Sequence, residues 1–251
     1  MNESQLINKQ GLSEEQFLAT YDANKYERPS VTVDMLIFTV TEEEKKYRKL
    51  PGKVLKLLLI KRGDHPYIGR WAIPGGFVNI DESLDEAALR ELKEETNIDD
   101  IYMEQLYTWG DVTRDPRTRV ISTSYMSLVD SSKLDIKAGD DADDTKWFTI
   151  SCELDQEQRT VTERGYILQR LFKLSLSNEG NNLSAIVKTA KIVEGNVTKT
   201  ERKVIESNGI AFDHAKIIEY AIERLRNKIE YTDIAIDLMD NMVQIEPPKL
   251  F

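Results

Sequence analysis

Three glutamates, Glu91, Glu94 and Glu95, fall within a short stretch, Ser83 to Asn97, whose other residues favour a helix. Ser83 with Glu86 three positions on makes a capping-box pattern, which sets the first helical residue at Leu84. At about 100° per residue, Ala87, Ala88 and Leu92 share one side of the helix with Leu84 and mark an apolar face. On the same rotation Glu91 and Glu95 fall between Ala87 and Ala88, and Glu94 falls beside Ala87, all inside that face rather than opposite it. Glu86 and Lys93 point the other way and read as solvated charges. A generic Glu-rich run is a solvated helix surface, and the angular placement argues against that reading here. Carboxylates crowded on an inward face repel one another and lose solvation, so they require a compensating cation. Oxygen ligands of this kind suit Mg²⁺ or Mn²⁺, which keep some of their waters and bridge to phosphates. The alanines beside them leave room for an ion and a diphosphate.

The elements that must position this helix can be read along the chain. Ser13-Glu14-Glu15-Gln16 is a second capping box and opens a short N-terminal helix over residues 13–22. Val31 to Phe38 and Val54 to Lys61 read as strands, with a charged loop, Glu42 to Gly52, between them. Turn formers then lead through Pro74-Gly75-Gly76 to the acidic helix. Two further strands are predicted at Tyr102–Trp109 and Arg119–Val129, joined by a loop from Gly110 to Thr118. A polar, acidic segment, Lys133 to Asp144, precedes a short strand at Lys146-Trp147-Phe148. From about Tyr166 the pattern is that of a small antiparallel meander: Tyr166–Leu176, Leu183–Val193 and Thr198–Ile205, separated by Gly/Asn turns. Asp213 then caps a helix with Ile217, Ile218, Ala221, Ile222, Leu225 and Ile229 at helical spacing, and a shorter helix follows at Asp233–Met239.

Composition narrows the function class. The chain has 251 residues, 40% apolar and 31% charged, which is ordinary for a globular protein. Its formal net charge of −10, from 34 basic and 44 acidic residues, argues against broad binding to nucleic acid. An acidic protein that handles phosphates needs a cation between them. Met1–Gln5 shows no basic region followed by an apolar run, so no secretory signal is expected. The best apolar run, Val54 to Ile60, is interrupted by Lys56, so no membrane span is expected either. The single cysteine, Cys152, reads as a packed thiol in a reducing, cytoplasmic setting.

Gly76, Glu82 and the run Arg90-Glu91-Leu92-Lys93-Glu94-Glu95-Thr96-Asn97-Ile98 resemble the Nudix box, G-x5-E-x7-R-E-U-x-E-E-x-G-U with U apolar. The one departure is Asn97 in place of glycine, at a helix end where a left-handed backbone is expected and Asn tolerates it better than other side chains. The resemblance implies the α/β (α+β) class: a Nudix-type α/β/α sandwich with a mixed sheet, here followed by the meander and a helical extension. It divides the chain into a Nudix domain at 1–155 and an extension at 156–251. It implies that Glu94 and Glu95 bind metal, that Glu91 is a further ligand or a base, and that Arg90 orients that glutamate. Gly75 or Gly76 would offer a backbone carbonyl to the metal, with Gly76, Glu82 and Asn97 structural. The chemistry implied is attack of water, activated by divalent ions, on one phosphorus of a diphosphate.

Further stretches resemble the ADP-ribose pyrophosphatase branch and the related Nudix-type transcriptional regulators: Tyr26–Asp34, Gly110–Arg117, Ala211–Ala215 and Arg224–Arg226. In that branch the general base can come from a later acidic loop, which maps to Asp144 first and Asp141 second. Arg62, Arg114, Arg117 and Arg119 are candidate contacts for phosphates or a terminal ribose. Tyr107 or Trp109 could stack on adenine, against the ordinary alternative of core packing. His214, at a helix start, reads as structural rather than catalytic. In the regulators a winged-helix DNA-binding domain follows the equivalent of the Asp213–Tyr231 helix. The sequence here stops at Phe251, so that domain is either lacking or cut away. The resemblance also implies a homodimer, through the N-terminal segment or the meander, with no membrane partner and no nucleic acid for this chain. The expected function is Mg²⁺-dependent hydrolysis of ADP-ribose to AMP and ribose 5-phosphate. The alternatives are a sensor of ADP-ribose or a sugar metabolite, and a housekeeping hydrolase of oxidised nucleotides or dinucleotides.

Overall fold

The strand Ser30–Glu42 (β1) organises the molecule because it is apolar on both sides. Val33, Met35 and Ile37 pack on one face of the sheet with Ala87, Ala88 and Leu92, while Leu36 and Phe38 pack on the other with Ile217, Ile218, Ala221 and Ile222. A strand buried on both faces needs no polar alternation, which is why this segment reads as a continuous β-branched and apolar run. The computed structural model describes residues 6–42, 53–98, 101–131 and 142–231. Around β1 stand Lys53–Arg62 (β2), Trp71–Ala72 (β3), Gly75–Phe77 (β4), Glu104–Trp109 (β5), Val120–Leu128 (β6) and Ala142–Thr162 (β7). Gly165–Asn178 (β8), Asn181–Glu194 (β9) and Val197–Asn208 (β10) follow. They form one ten-stranded sheet in the order β10-β9-β8-β7-β2-β1-β6-β5, with β3 on β2 and β4 on β1. The β1–β6 pair is parallel and the others antiparallel, so the sheet is mixed.

Helix Leu84–Thr96 (α2) covers one face and helix His214–Tyr231 (α3) the other, which makes the α/β/α sandwich that the sequence implies. The N-terminal helix Glu14–Thr20 (α1) has its Ser13/Gln16 capping box in place but buries no residue. Among the described residues no helix is long and apolar enough to cross a membrane.

The sequence is misleading about β7. Only Lys146-Trp147-Phe148 reads as strand, yet β7 runs to Thr162 and passes through position 155, the boundary expected between two units. Its outer half, Glu153 to Thr162, is exposed and mostly polar and so carries no burial pattern. Its conformation comes from pairing with β8 along the whole length, Thr149 opposite Ser177 to Thr162 opposite Gly165. The tight connections of the meander use Gly180 (φ 90°) and Gly195 (φ 58°), where a left-handed backbone suits glycine. The helix predicted at Asp233–Met239 lies outside the described residues, as do positions 43–52 of the charged loop and Asp141.

Candidate metal and phosphate site

α2 begins as expected, with Ser83 accepting from the Glu86 amide and Glu86 reaching back to the Ser83 amide. It ends at Asn97, which caps in the left-handed conformation (φ 59°, ψ 20°) with its amide donating to the Lys93 carbonyl. The asparagine therefore does at this end what glycine would do. β1 holds Gly75 and Gly76 in register opposite Asp34 and Val33, which sets these glycines against the helix. A methyl group added at Gly76 would overlap the Glu91 carboxylate, and one at Gly75 would overlap the Val33 carbonyl. These close approaches explain the two glycines, and at Gly75 the backbone φ of 159° adds to the cost of any side chain.

Arg90 is the centre of the charge network. It donates to Glu82 at 2.6 and 2.9 Å, to Glu91 at 2.8 Å, to Glu94 at 2.9 Å and to the Phe77 carbonyl at 2.9 Å. Hydrogen bonds from Arg90 and the Asn79 amide pull the Glu82 carboxyl down to about 2. Glu82 thereby ties the loop after β4 to the helix, the structural role expected of it. The arginine's own pKa is raised by these carboxylates.

The three glutamates are not equivalent. Glu94, at the edge of the apolar face, is 59% exposed and drawn to Arg90, so the expectation that all three point inward is corrected for this residue. Glu91 and Glu95 do lean in. Burial raises the Glu91 pKa against the pull of Arg90. Burial, with the charge of Glu91 adding to it, pushes Glu95 up to about 8 even though Glu95 accepts the Gly75 amide at 2.5 Å. Two carboxylates thus meet at the Gly75–Gly76 backbone with their negative charge incompletely compensated. Such a pair fits a divalent cation, with the Gly75 carbonyl and the outer Glu94 close in sequence to complete an oxygen set. Among the described residues no group of three His, Cys, Asp or Glu side chains is already gathered as a metal cage.

The arginines separate into two kinds. Arg62 and Arg117 lie on the ring of Phe212, with guanidinium-to-centroid distances of 5.0 and 5.9 Å, and Arg117 also lies over Phe77 at 5.1 Å. Burial and the neighbouring Arg117 charge lower the Arg62 pKa, and the Glu95 carboxylate pulls the other way. Arg62 feels the Glu95 charge, whereas Arg117 donates to Asp115 at 2.8 and 3.1 Å; together on the Phe212 ring the two guanidiniums make a candidate anion site. Arg114 is mostly buried, bound to Asp213 at 2.9 and 3.2 Å and 3.6 Å from Asp34, an ion-pair network that fixes its loop to the start of α3. Arg119 donates to the Asp111 carbonyl at the surface. Trp109 is core, its indole N–H donating to Ser124, whereas its neighbour Tyr107 is 49% exposed.

Asp144 pairs with Lys146 at 2.5 Å and sits opposite Lys61, next to Arg62 in the chain; the adjacent Thr145 hydroxyl donates to the Glu95 carbonyl at 3.4 Å. His214 is buried in the first turn of α3. Cys152 is buried as expected, its thiol pushed up to about 12 by burial. A cleft of about 1240 Å³ lies on the α3 side, bordered by Tyr67, Arg114, Arg202 and Phe212 among others and by none of the three glutamates.

Sequence reasoning passed over Asp34, Tyr67, Phe212, Asp213 as an ion-pair partner, and Lys216. Asp34 had a signal, a lone charge inside the most apolar strand. Lys216 is nearly buried and bound to Asp111 and Asp213, which fixes the loop after β5 to α3. Tyr67 and Phe212 have left-handed backbones (φ 65° and 50°) and touch ring to ring at 4.7 Å, a contact between distant segments that no local pattern encodes.

The NUDIX domain family matches residues 31–171 of the chain. Over 229 residues, 90% of this chain and 66% of the relative, it is 29% identical to the ADPR-responsive transcriptional repressor NtrR of Acinetobacter baylyi. Over 126 residues, 50% of this chain and 65% of the relative, it is 36% identical to an ADP-ribose pyrophosphatase of Methanocaldococcus jannaschii. The chain therefore spans just under two thirds of the length of these relatives. Among solved structures, a MutT/nudix family protein from Enterococcus faecalis superposes with a TM-score of 0.63 at 29% identity, covering 91% of this chain and 75% of that one.

Proposed function

We propose that this chain, which belongs to the Nudix family, hydrolyses the diphosphate bond of a nucleoside-diphosphate sugar, ADP-ribose first, to AMP and ribose 5-phosphate. The observation that carries the reading is the pair of inward carboxylates, Glu91 and Glu95, set against Gly75–Gly76 with Arg62 and Arg117 close by. Glu91, Glu94, Glu95 and the Gly75 carbonyl would hold Mg²⁺ or Mn²⁺. Such an ion, when bound, neutralises the diphosphate oxygens and lowers the pKa of the attacking water. Arg62 and Arg117 bind the phosphates and stabilise charge that grows on their oxygens. Arg90 keeps Glu91 aligned while joining the loop after β4 to α2. Asp144 is the base: its carboxylate takes the proton of the water as the new P–O bond forms and the bridging P–O bond breaks.

The test is incubation with ADP-ribose and Mg²⁺, following AMP release, alongside Glu95→Gln. AMP should appear with the wild type and be abolished in the folded variant. No turnover on ADP-ribose, other nucleoside-diphosphate sugars, dinucleotides or oxidised nucleotides, with either Mg²⁺ or Mn²⁺, sinks the enzyme reading. A second reading is favoured by the similarity to a repressor over 90% of the chain: a sensor that binds ADP-ribose without cleaving it. Calorimetric binding of intact ADP-ribose, recovered unchanged, separates the two. A homodimer is proposed for either case, and a monomeric mass by light scattering rejects it.

A further inference from the structure

The backbone that carries Gly75 is anchored twice. The first anchor is β1: the Met35 amide donates to the Pro74 carbonyl at 2.8 Å, and Gly75 and Gly76 pair opposite Asp34 and Val33. The second comes from the segment ahead of α3. The Trp71 amide donates to the Gly209 carbonyl and the Ala211 amide to the Trp71 carbonyl, both at 2.8 Å, making a parallel bridge between Trp71 and Ile210. Along such an edge the next donor is two residues on, at the Ile73 amide. By then the facing chain has left the ladder, turning through Phe212 (φ 50°) into the helix. The acceptor for Ile73 is a side chain, His214 Nδ1, buried and at 3.0 Å.

Accepting at Nδ1 requires a neutral ring with its proton on Nε2. That nitrogen faces Asp34, 3.9 Å from Oδ1, and Asp34 is itself held by the Ser122 hydroxyl at 2.5 Å and by Arg114. The carboxylate thus favours the tautomer that the Ile73 bond needs, in the way that an acidic partner orients a histidine at many sites. We propose, resting on the divalent-cation site read above, that His214 is a positioning residue: through the Ile73 amide it fixes the backbone on which Gly75 meets Glu95. A histidine that merely filled space would be replaceable by any side chain of similar volume.

The test uses the full chain without substrate, titrating Mn²⁺ and reading the free ion by electron paramagnetic resonance. His214→Leu keeps bulk and removes the acceptor. His214→Asn places an amide oxygen close to the position of Nδ1, and His214→Gln carries it one bond further. His214→Leu should weaken Mn²⁺ binding about tenfold, while His214→Asn stays within about threefold of wild type, the scale of lost outer-shell support at metal sites. A folded Leu variant with wild-type affinity overturns the assignment, as does an Asn variant that loses as much as Leu. Should the Leu variant fail to fold, equal affinities of the Asn and Gln variants overturn it, and a Gln variant about fivefold weaker than Asn supports it. A wild type that binds no Mn²⁺ defeats the cation reading and this assignment together. A wild type that binds Mn²⁺ but leaves ADP-ribose intact defeats only the choice of substrate.

Discussion

Adding one methyl group at each of two adjacent glycines should produce different effects. In Gly76→Ala the new carbon overlaps the Glu91 carboxylate, which is the free end of a side chain and can rotate away. Rotation gives up the 2.8 Å bond from Arg90, a charge-assisted contact worth about 1.5–3 kcal/mol. It also releases Glu91 from the burial that raises its pKa, which offsets much of that loss. The folded state should therefore weaken by only about 1 kcal/mol. Turnover is another matter, because under the proposed function a displaced Glu91 would be missing as a ligand in the transition state. A hundredfold fall in kcat/KM, about 2.7 kcal/mol, is expected for AMP release from ADP-ribose. In Gly75→Ala the overlap is with the Val33 carbonyl, backbone in the central strand that cannot step aside. That variant should lose about 3 kcal/mol of stability by overpacking. Calorimetric melting and steady-state kinetics on both proteins check the pair. Gly76→Ala with kcat/KM within threefold of wild type would show that Glu91 need not stand where it does, and would refute the account of the site.

Two further outcomes follow from the structure. Asn97→Gly should raise the melting temperature slightly, by a gain of about 0.5–1 kcal/mol, because the left-handed φ of 59° strains any residue with a Cβ; an unchanged or lower value counts against strain at this cap. Glu219 has its pKa pushed by burial to about 7 from 4.5, outweighing the Arg202 charge 3.1 Å away. A carboxyl raised in the folded state binds its proton more tightly there, so its contribution is full below about pH 4.5 and is lost as pH rises to about 7. The loss is at most about 3 kcal/mol, and Glu219→Gln should remove that slope from the urea midpoint between those pH values. Identical slopes in the two proteins would refute the assignment.

Local pattern made much of the molecule legible. Both capping boxes, the left-handed end at Asn97, the apolar strand through Met35 and the meander turns are set within a few residues, where spacing and backbone preference act directly. Helical rotation likewise marked Glu91 and Glu95 as inward, but it placed Glu94 there too, which Arg90 draws outward in the structure. Beyond that range the signal failed for physical reasons. The outer half of β7 is a strand because β8 pairs with it, not because its exposed polar residues prefer to be one.

What the sequence by itself determined was the helix of carboxylates and the glycines that let them approach a backbone. Only the tertiary structure decided which groups surround them. Arg62, far along the chain from both Arg117 and Phe212, meets them at one point, while Arg114, equally eligible by residue type, is tied to Asp213 and the Trp109 indole to Ser124. His214, 141 positions from Ile73, supplies the acceptor that the strand edge lacks. Contacts between such distant segments depend on how two faces of a sheet are covered, and neither composition nor spacing records that.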